Sequence, residues 1–508
     1  MKDSSISKGS SLAVLTALQT GISAAGLVVE IVAARMIAPY VGMSLYTWTA
    51  IIAIVLAGFS VGHWWGGRLA ALDNRSALMR VAWTLMAAAL FTAAASLILR
   101  YVAVPVLSSI ENPLTAISLI TAAAFFLPSL FAGIPAPVLA VVAMRGRDRS
   151  EQALGIMFAA GAVGAIVGTL MAGFLFISWL GSAVTLQLMA AFYAGASAVT
   201  LTLARANRAN ARGATLIATL AVLTGLRALT APAICDVESS YYCIRTEAVG
   251  GSEEGPVRAM ILDHLAHGVG ARDAPTVMYT DHTAMLDALP RMRMGDRQFS
   301  SFHIGGGTYS VPRSWEHRGQ SEITVAEIDP KVTAVAVQNF WYEPATASII
   351  HEDARTILRN SDQQYDVIVG DAFTDIAVPA HLVTLEFFQL VSGRLKENGI
   401  FAMNVVDRVE RLEALAALYK TLNKVFASVE VWTEAVPPQP PERRVFVLLA
   451  SQSDSQVSVV ETLTPEPKKF APLASSFMDD LVVRTGSKTL TDDFAPIDHL
   501  MGLAPVLD

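Results

Sequence analysis

The sequence predicts two structures in series: a multi-span α-helical membrane bundle of about seven helices, then an α/β domain built on a doubly wound, mostly parallel sheet. Three observations carry this. Of the 508 residues, 53% are hydrophobic and only 16% charged, which is too apolar for a water-soluble protein of this length. The charge is unevenly placed: residues 1–235 hold 14 Lys or Arg and 6 Asp or Glu, and taking these from the chain's 37 and 44 leaves 23 and 38 beyond. From Asp236 onward, strand-length apolar runs alternate with helical ones. An almost uncharged first part joined to an acidic second part reads as a membrane domain, 1–235, followed by a domain in water. The acidic balance leaves no basic stripe to neutralise phosphates, so nucleic acid is excluded as a partner. Two cysteines, Cys235 and Cys243, make neither a disulfide framework nor a cysteine-based zinc site.

A hydrocarbon core about 30 Å thick needs roughly 20 apolar residues per helix. Seven stretches satisfy this, near 11–37, 46–66, 79–104, 114–143, 154–178, 181–204 and 213–231. The first is too long, and too closely followed by others, for a cleaved signal peptide. Glycines such as Gly155, Gly161, Gly164 and Gly168 let helix backbones approach, which predicts a packed bundle in the lipid bilayer. Pro128, Pro135 and Pro137 predict a kinked fourth helix. Charge inside a span is costly, which makes Glu30 and Arg35 candidates for a membrane-domain site. Glu30 either pairs with Arg35 or faces a cavity; Arg35, His63 and Arg227 lie near helix ends, from which they can snorkel.

The short loops collect Arg68, Arg75 and Arg80, then Arg145, Arg147 and Arg149, then Arg205, Arg208 and Arg212. With seven spans these clusters fall on one side together with Lys2 and Lys8, and the positive-inside rule makes that side cytoplasmic. The expected location is a bacterial inner membrane. An odd span count leans the second domain to the extracytoplasmic side, where an oxidising compartment permits a Cys235–Cys243 disulfide.

Paired strands are expected at Tyr241–Thr246 and Val257–Leu262. A β–α series follows, with strands at Phe299–Ile304, Glu322–Ile328, Ala347–His351, Tyr365–Gly370, Gly399–Val405, Ser428–Trp432 and Val445–Leu449. The clearest helices are Val332–Asn339, Thr384–Leu395 and Glu410–Val425. A short strand near Val457–Glu461 and a Pro-rich stretch, Pro465 to Pro472, precede an acidic tail. Ligands of doubly wound sheets bind beyond the carboxyl ends of the strands, and four features stand there. Gly305-Gly306-Gly307 ends the first strand, where glycines permit a tight turn and close approach of a ligand. Glu327-Ile328-Asp329 ends the second, about 20 residues on, the spacing at which a carboxylate accepts both hydroxyls of a ribose. Glu352-Asp353-Ala354 follows the third and can read an adenine amino group. Asp371 follows the fourth, with Asp375 beyond it. Together these specify a nucleoside site. No P-loop lysine follows the glycines, which argues against a nucleoside triphosphate. His303, His351 and His381 occupy different strand ends without ligand spacing, so no metal is expected.

In that order, Gly305-Gly306-Gly307, Glu327-Ile328-Asp329, Asp353 and Asp371 resemble the spermidine synthase (polyamine aminopropyltransferase) family. Upstream, Glu238-Ser239 with Tyr241, Leu262-Asp263 and Tyr279-Thr280-Asp281 are similar to its N-terminal strands and tyrosine-containing substrate segment. The match spans about 236–450. Glu30-Ile31-Val32-Ala33-Ala34-Arg35, Gly58 to Gly62, Gly66-Gly67-Arg68, Asp371-Ala372-Phe373, Pro379-Ala380-His381-Leu382 and Thr491-Asp492-Asp493 resemble its transmembrane branch. The glycine and acidic motifs alone also fit S-adenosylmethionine-dependent methyltransferases; the upstream segment favours the first family.

The resemblance implies a Rossmann-like (methyltransferase-type) catalytic domain at 299–508, preceded at 236–298 by a small N-terminal β-hairpin subdomain and linker. It implies decarboxylated S-adenosylmethionine as donor, methylthioadenosine as product, and a polyamine or other small amine as acceptor, with a homodimer allowed. Gly305, Gly306, Gly307, Glu327, Asp329, Asp353 and Ala354 would hold the donor, with Glu327 on the ribose and Asp353 on the adenine. Asp371 would serve as base or ammonium-binding group and Tyr279 would place the amine, with Tyr241, Asp281, Tyr309 and Asp375 around the substrate. Two departures open alternatives. The family has an acidic residue after the glycines where this chain has Thr308-Tyr309-Ser310, and neutral hydroxyls there tolerate the carboxylate of intact S-adenosylmethionine. Asp375 comes one residue late and precedes Ile376 rather than proline. Methyl or aminocarboxypropyl transfer, or an elimination, from intact S-adenosylmethionine therefore stays open, as does a sensor or transporter that binds nucleoside or polyamine. A donor made in the cytoplasm also pulls against the extracytoplasmic lean.

Overall fold

The computed structural model describes residues 8–252, 255–344, 347–373, 377–462 and 464–503. The chain divides into two units, Met1–Ile234 and Cys235–Asp508.

The first unit is helical: α1 (Lys8–Val41), α2 (Leu45–Leu69), α3 (Asn74–Ser109), α4 (Pro113–Met144), α5 (Ser150–Met171), α6 (Ile177–Leu203) and α7 (Arg208–Leu229). Six segments are long and apolar enough to cross a membrane, one fewer than the seven stretches read from the sequence. The difference lies at α5 and α6. A π turn, Ala172–Phe176, joins them into one helical segment, Ser150–Leu203, so no loop separates the two apolar stretches. The helical path breaks only at Gly181, whose φ of 76° and ψ of 168° are open to glycine and strained for other residues.

Side-chain and glycine contacts give the helix directions. Gly164 and Gly168 of α5 lie against Thr20 and Ala24 of α1, so those two run parallel. Gly58, Gly62 and Gly66 of α2 lie against Phe126, Leu130 and Ile134 of α4, also parallel. A Cβ at any of these glycines would strike a backbone carbonyl of the facing helix; four-residue spacing puts them on one ridge, the small-residue packing expected in lipid. In contrast, Gln187 of α6 donates to the Ala93 carbonyl of α3, and Ser197 to that of Ala82, so α6 runs antiparallel to α3. Arginines tie one end of the bundle together. The Arg145 guanidinium donates to the carbonyls of Ala70 and Leu72, and Arg75 to that of Arg205. Glu30 is buried in the bundle, and its Oε2 has no hydrogen-bond partner among the described residues.

The second unit opens with a four-stranded antiparallel sheet, β1 (Val237–Glu238), β2 (Cys243–Ser252), β3 (Gly255–Leu262) and β4 (Leu265–Ala271). It is larger than the expected hairpin because the turn after Leu262, with Asp263 at positive φ, returns the chain for β4. Cys235 and Cys243 form a disulfide across the start of this sheet. The stretch read as linker contains helix α8 (Asp281–Met294), which Pro290 and its polar residues hide from a periodicity search.

A nine-stranded sheet follows, from β5 (Ser301–Ile304), β6 (Ile323–Ala326), β7 (Ser348–Ile350), β8 (Tyr365–Gly370), β9 (Leu395–Arg408), β10 (Ser428–Glu434), β11 (Arg443–Ser451), β12 (Val460–Thr462) and β13 (Lys468–Pro472). Its order is β12-β13-β10-β11-β9-β8-β5-β6-β7. Strands β9 through β7 in that order are parallel, and the other four pair antiparallel. The Pro-rich stretch is thus partly β13, with Pro472 at the strand's end, where a missing donor costs no ladder bond. Alternate residues fill two cores: Phe302, Ile368 and Phe401 point to one face, and Val325, Val367, Val369 and Ala402 join Trp315 and Trp432 on the other. Between β5 and β8 the strand order reverses, which opens a crevice at the carboxyl ends of both strands.

Candidate active site

The crevice is a cavity of about 470 Å³, within the range for small-ligand sites. Its floor is the glycine turn after β5. Gly305 has φ 93° and Gly307 φ 52°, and a Cβ on Gly305 would come within 2.6 Å of the Asp371 carbonyl oxygen. Only glycine fits there, which lets a ligand reach the backbone.

Glu327, after β6, is 6% exposed. Its carboxylate accepts the backbone N–H of Gly306 at 2.8 Å and of Asp329 at 2.9 Å. Burial raises its pKa, and the donated N–H groups only partly offset this. Asp353, after β7, caps helix α10 (Ala354–Asn360) by accepting from Thr356 N–H, and its other oxygen meets His381 Nε2 at 2.8 Å. Burial pushes its pKa up, but the His381 and Thr356 hydrogen bonds outweigh it and hold the carboxyl below its usual range. Asp371, after β8, accepts from Asn404 Nδ2 at 2.8 Å through Oδ1, and its Oδ2 lies 3.9 Å from His282 Nε2. Three carboxylates on successive strand ends thus face one cavity.

Of the residues named from the sequence, Gly305, Gly307, Glu327, Asp353, Ala354, Asp371 and Asp281 line the cavity, while Gly306 contributes through its bond to Glu327. Asp281 is engaged by Lys468 at 2.7 Å. Asp329 does not line it: this buried carboxylate accepts Lys331 N–H and caps helix α9 (Pro330–Asn339). Tyr309 is a core residue, stacked on Tyr342 with ring centroids 4.4 Å apart and bonded to Thr333 Oγ1. Tyr241 is 44% exposed and outside the cavity; the turn at Ser239 instead presents the next residue, Tyr242, to it. Tyr279 is half-buried and also outside the lining. Asp375 lies outside the described residues.

Sequence reasoning missed Tyr242, His267, His282 and Asn404, and named His381 only within a motif and as no metal ligand; all five line the cavity. Tyr242 donates to the Phe373 carbonyl at 3.2 Å. Burial, with Glu327, Asp263 and Asp329 nearby, pushes its hydroxyl above the ordinary range, so it stays a donor. His267 is held down to about 4 by burial and by the neighbouring His282 and His264. A second, water-sized pocket of about 20 Å³ beneath the glycine turn is lined by His267, His303, Thr308, Ser310 and Asp371, among others. The available signals were adjacency: His282 follows Asp281, and Asn404 sits in a predicted strand three residues past Phe401.

A row of carboxylates around a glycine turn at a topological switch point defines the class, an α/β domain with a nucleoside-type crevice. Residues 302–458 match the spermine/spermidine synthase domain, so the resemblance read from the sequence holds over those residues. The chain is 28% identical over 242 residues to a probable polyamine aminopropyl transferase of Bifidobacterium longum, covering 44% of this chain and 53% of that protein. It is 27% identical over 208 residues to the polyamine aminopropyltransferase of Vibrio vulnificus, covering 39% and 67%. The chain therefore spans about half to two thirds of these relatives. The crystal structure of a probable spermidine synthase from Corynebacterium glutamicum is similar with a TM-score of 0.43 and 18% identity, over 50% of this chain and 94% of that one.

Proposed function

We propose that the protein is a membrane-anchored aminopropyltransferase that moves an aminopropyl group from decarboxylated S-adenosylmethionine to a polyamine or other small amine, releasing methylthioadenosine. The observation that carries this is the convergence of Glu327, Asp353 and Asp371 on one cavity beside the glycine turn. Glu327, fixed by two backbone N–H groups, accepts the ribose hydroxyls. Asp353 accepts the adenine amino group. Asp371 then stands at the sulfonium end, where its charge holds the incoming ammonium. Once the ammonium has given up one proton, attack of the neutral amine forms an N–C bond as the C–S bond breaks, and the sulfonium becomes a neutral thioether. Much of the rate would come from holding amine and carbon in line, which can contribute roughly 7–11 kcal/mol. The full-length protein in detergent, given decarboxylated S-adenosylmethionine with putrescine or spermidine, should release methylthioadenosine; no release with either amine overturns the reading.

One observation favours a second donor. Thr308 and Ser310, hydrogen-bonded to each other at 2.8 Å, stand where the family resemblance leads one to look for an acid. Neutral hydroxyls there suit the carboxylate of intact S-adenosylmethionine, and a product carrying an aminocarboxypropyl group would identify that reaction.

For the membrane unit we propose seven crossings. The opposite senses of α5 and α6, inferred from their partners α1 and α3, support a reversal at Gly181. The arginine-tied loops then face the cytoplasm and the chain leaves α7 on the other side, where the Cys235–Cys243 disulfide suits an oxidising compartment. A membrane-impermeant thiol reagent should label these cysteines in intact cells after reduction; labelling only in lysed cells reverses the orientation.

A further inference from the structure

Aminopropyl transfer leaves one proton to place. The amine arrives as an ammonium, whose nitrogen has no lone pair to attack with, so one N–H proton must leave it before the N–C bond can form. Beside Asp371 the structure holds an imidazole that neither motif nor spacing revealed. His282 is the second residue of α8, only 13% exposed, with Nε2 3.9 Å from Asp371 Oδ2 and 3.5 Å from Thr280 Oγ1. It lines the same cavity as Asp371 and Asn404.

We propose that His282 is the catalytic base of this site: its Nε2 takes the proton from the acceptor amine, while Asp371 holds the ammonium beforehand and the imidazolium afterwards. The inference rests on the aminopropyl-transfer reading. In the balanced step, the amine nitrogen bonds to the donor carbon, the C–S electron pair stays on sulfur, and the N–H proton passes to His282 and then to solvent.

The surroundings favour this division of labour. Imidazoles titrate nearer to neutral pH than carboxylates, and a base works best when matched to the operating pH. Asn404 donates to Asp371 Oδ1, which leaves Oδ2 directed to the His282 side. Four other titratable groups of the cavity wall are poor competitors for the proton. His267, from β4, is neutral at physiological pH because burial dominates its titration. Tyr242 donates to a carbonyl. Asp281 is occupied by Lys468 from β13, and Arg443 of β11, which also lines the cavity, is a cation and no base.

The test is the pH dependence of methylthioadenosine release from decarboxylated S-adenosylmethionine and putrescine or spermidine by the full-length protein. His282→Gln should lower kcat at least ~100-fold near neutral pH, with the deficit shrinking to about tenfold near pH 9 as free amine accumulates. Methylthioadenosine affinity, measured by calorimetry, should stay within about threefold of wild type, which also reports that the variant is folded; His282→Asn provides a second variant with the same expectation. A deficit under about threefold, a deficit independent of pH, or loss of methylthioadenosine binding in both variants would overturn the proposal. An inactive wild type would overturn this inference and the aminopropyl reading together, whereas an active wild type with unimpaired variants overturns the inference alone.

Discussion

The two ends of the cavity are built differently. At what the proposed reading makes the nucleoside end, backbone N–H groups dominate: Gly306 and Asp329 hold Glu327, and Thr356 holds Asp353, which also meets the His381 imidazole. At the opposite end, Asp371 is held by a side chain from a remote part of the chain, Asn404 on β9, with His282 of α8 3.9 Å from its other oxygen. Backbone donors tolerate sequence change, while side-chain partners can be exchanged one at a time. The first arrangement suits a constant ligand and the second a site whose chemistry is adjusted by substitution.

Substitutions at the two ends should therefore separate turnover from binding. Asp371→Asn is expected to give the largest effect, a fall in kcat of about 10²–10⁴-fold with methylthioadenosine affinity within about threefold of wild type; equal losses in both would merge the two ends. Glu327→Gln should instead weaken methylthioadenosine binding by roughly 10–100-fold, the range for a hydrogen bond to a charged group, as read by calorimetry. Because burial raises Glu327 and the ribose hydroxyls need its carboxylate form, wild-type affinity should rise with pH through that elevated range. Tyr242→Phe should cost about 3–10-fold in kcat/KM, whereas Tyr241→Phe should leave it unchanged.

A smaller effect concerns the frame of the transfer end. Asp407, three residues past Asn404, is raised to about 6 by burial, although it accepts the N–H groups of Leu415 and Arg408. Its folded form prefers the proton, so its contribution to stability is present below the unfolded value and lost as pH climbs to about 6. Asp407→Asn removes that loss, and its Tm relative to wild type should climb by about 2–6 °C between about pH 4 and about pH 6. A constant difference would show that Asp407 does not titrate there.

The same contrast explains what could be read in the sequence. Gly305, Glu327, Asp353 and Asp371 were legible because each follows a strand with strong apolar patterning, and strand ends converge in a doubly wound sheet. Asp329 was misplaced because, two residues past Glu327, it serves as a helix cap, and a cap reads like a ligand at that spacing. Tyr309 misled because it follows the glycines yet turns into the core through its left-handed backbone. His282, Asn404 and Tyr242 reach the site by tertiary folding alone, and no local spacing encodes that. In the bundle, the apolar stretches were plain, and their division between 154–178 and 181–204 falls beside the one break in helical geometry, at Gly181.

The glycine ridges of the bundle also bear on how it is made. Thr20 meets Gly164, and Gly58 meets Phe126, so each early helix finds its closest partner in a segment synthesised long after it. Until that later segment emerges, the glycine notches of α2 and the Thr20–Ala24 face of α1 have nothing packed against them. Assembly of the bundle is thereby postponed until its later helices are made, and a chain released early would keep its hydrophobic stretches yet lack the contacts that make them one body.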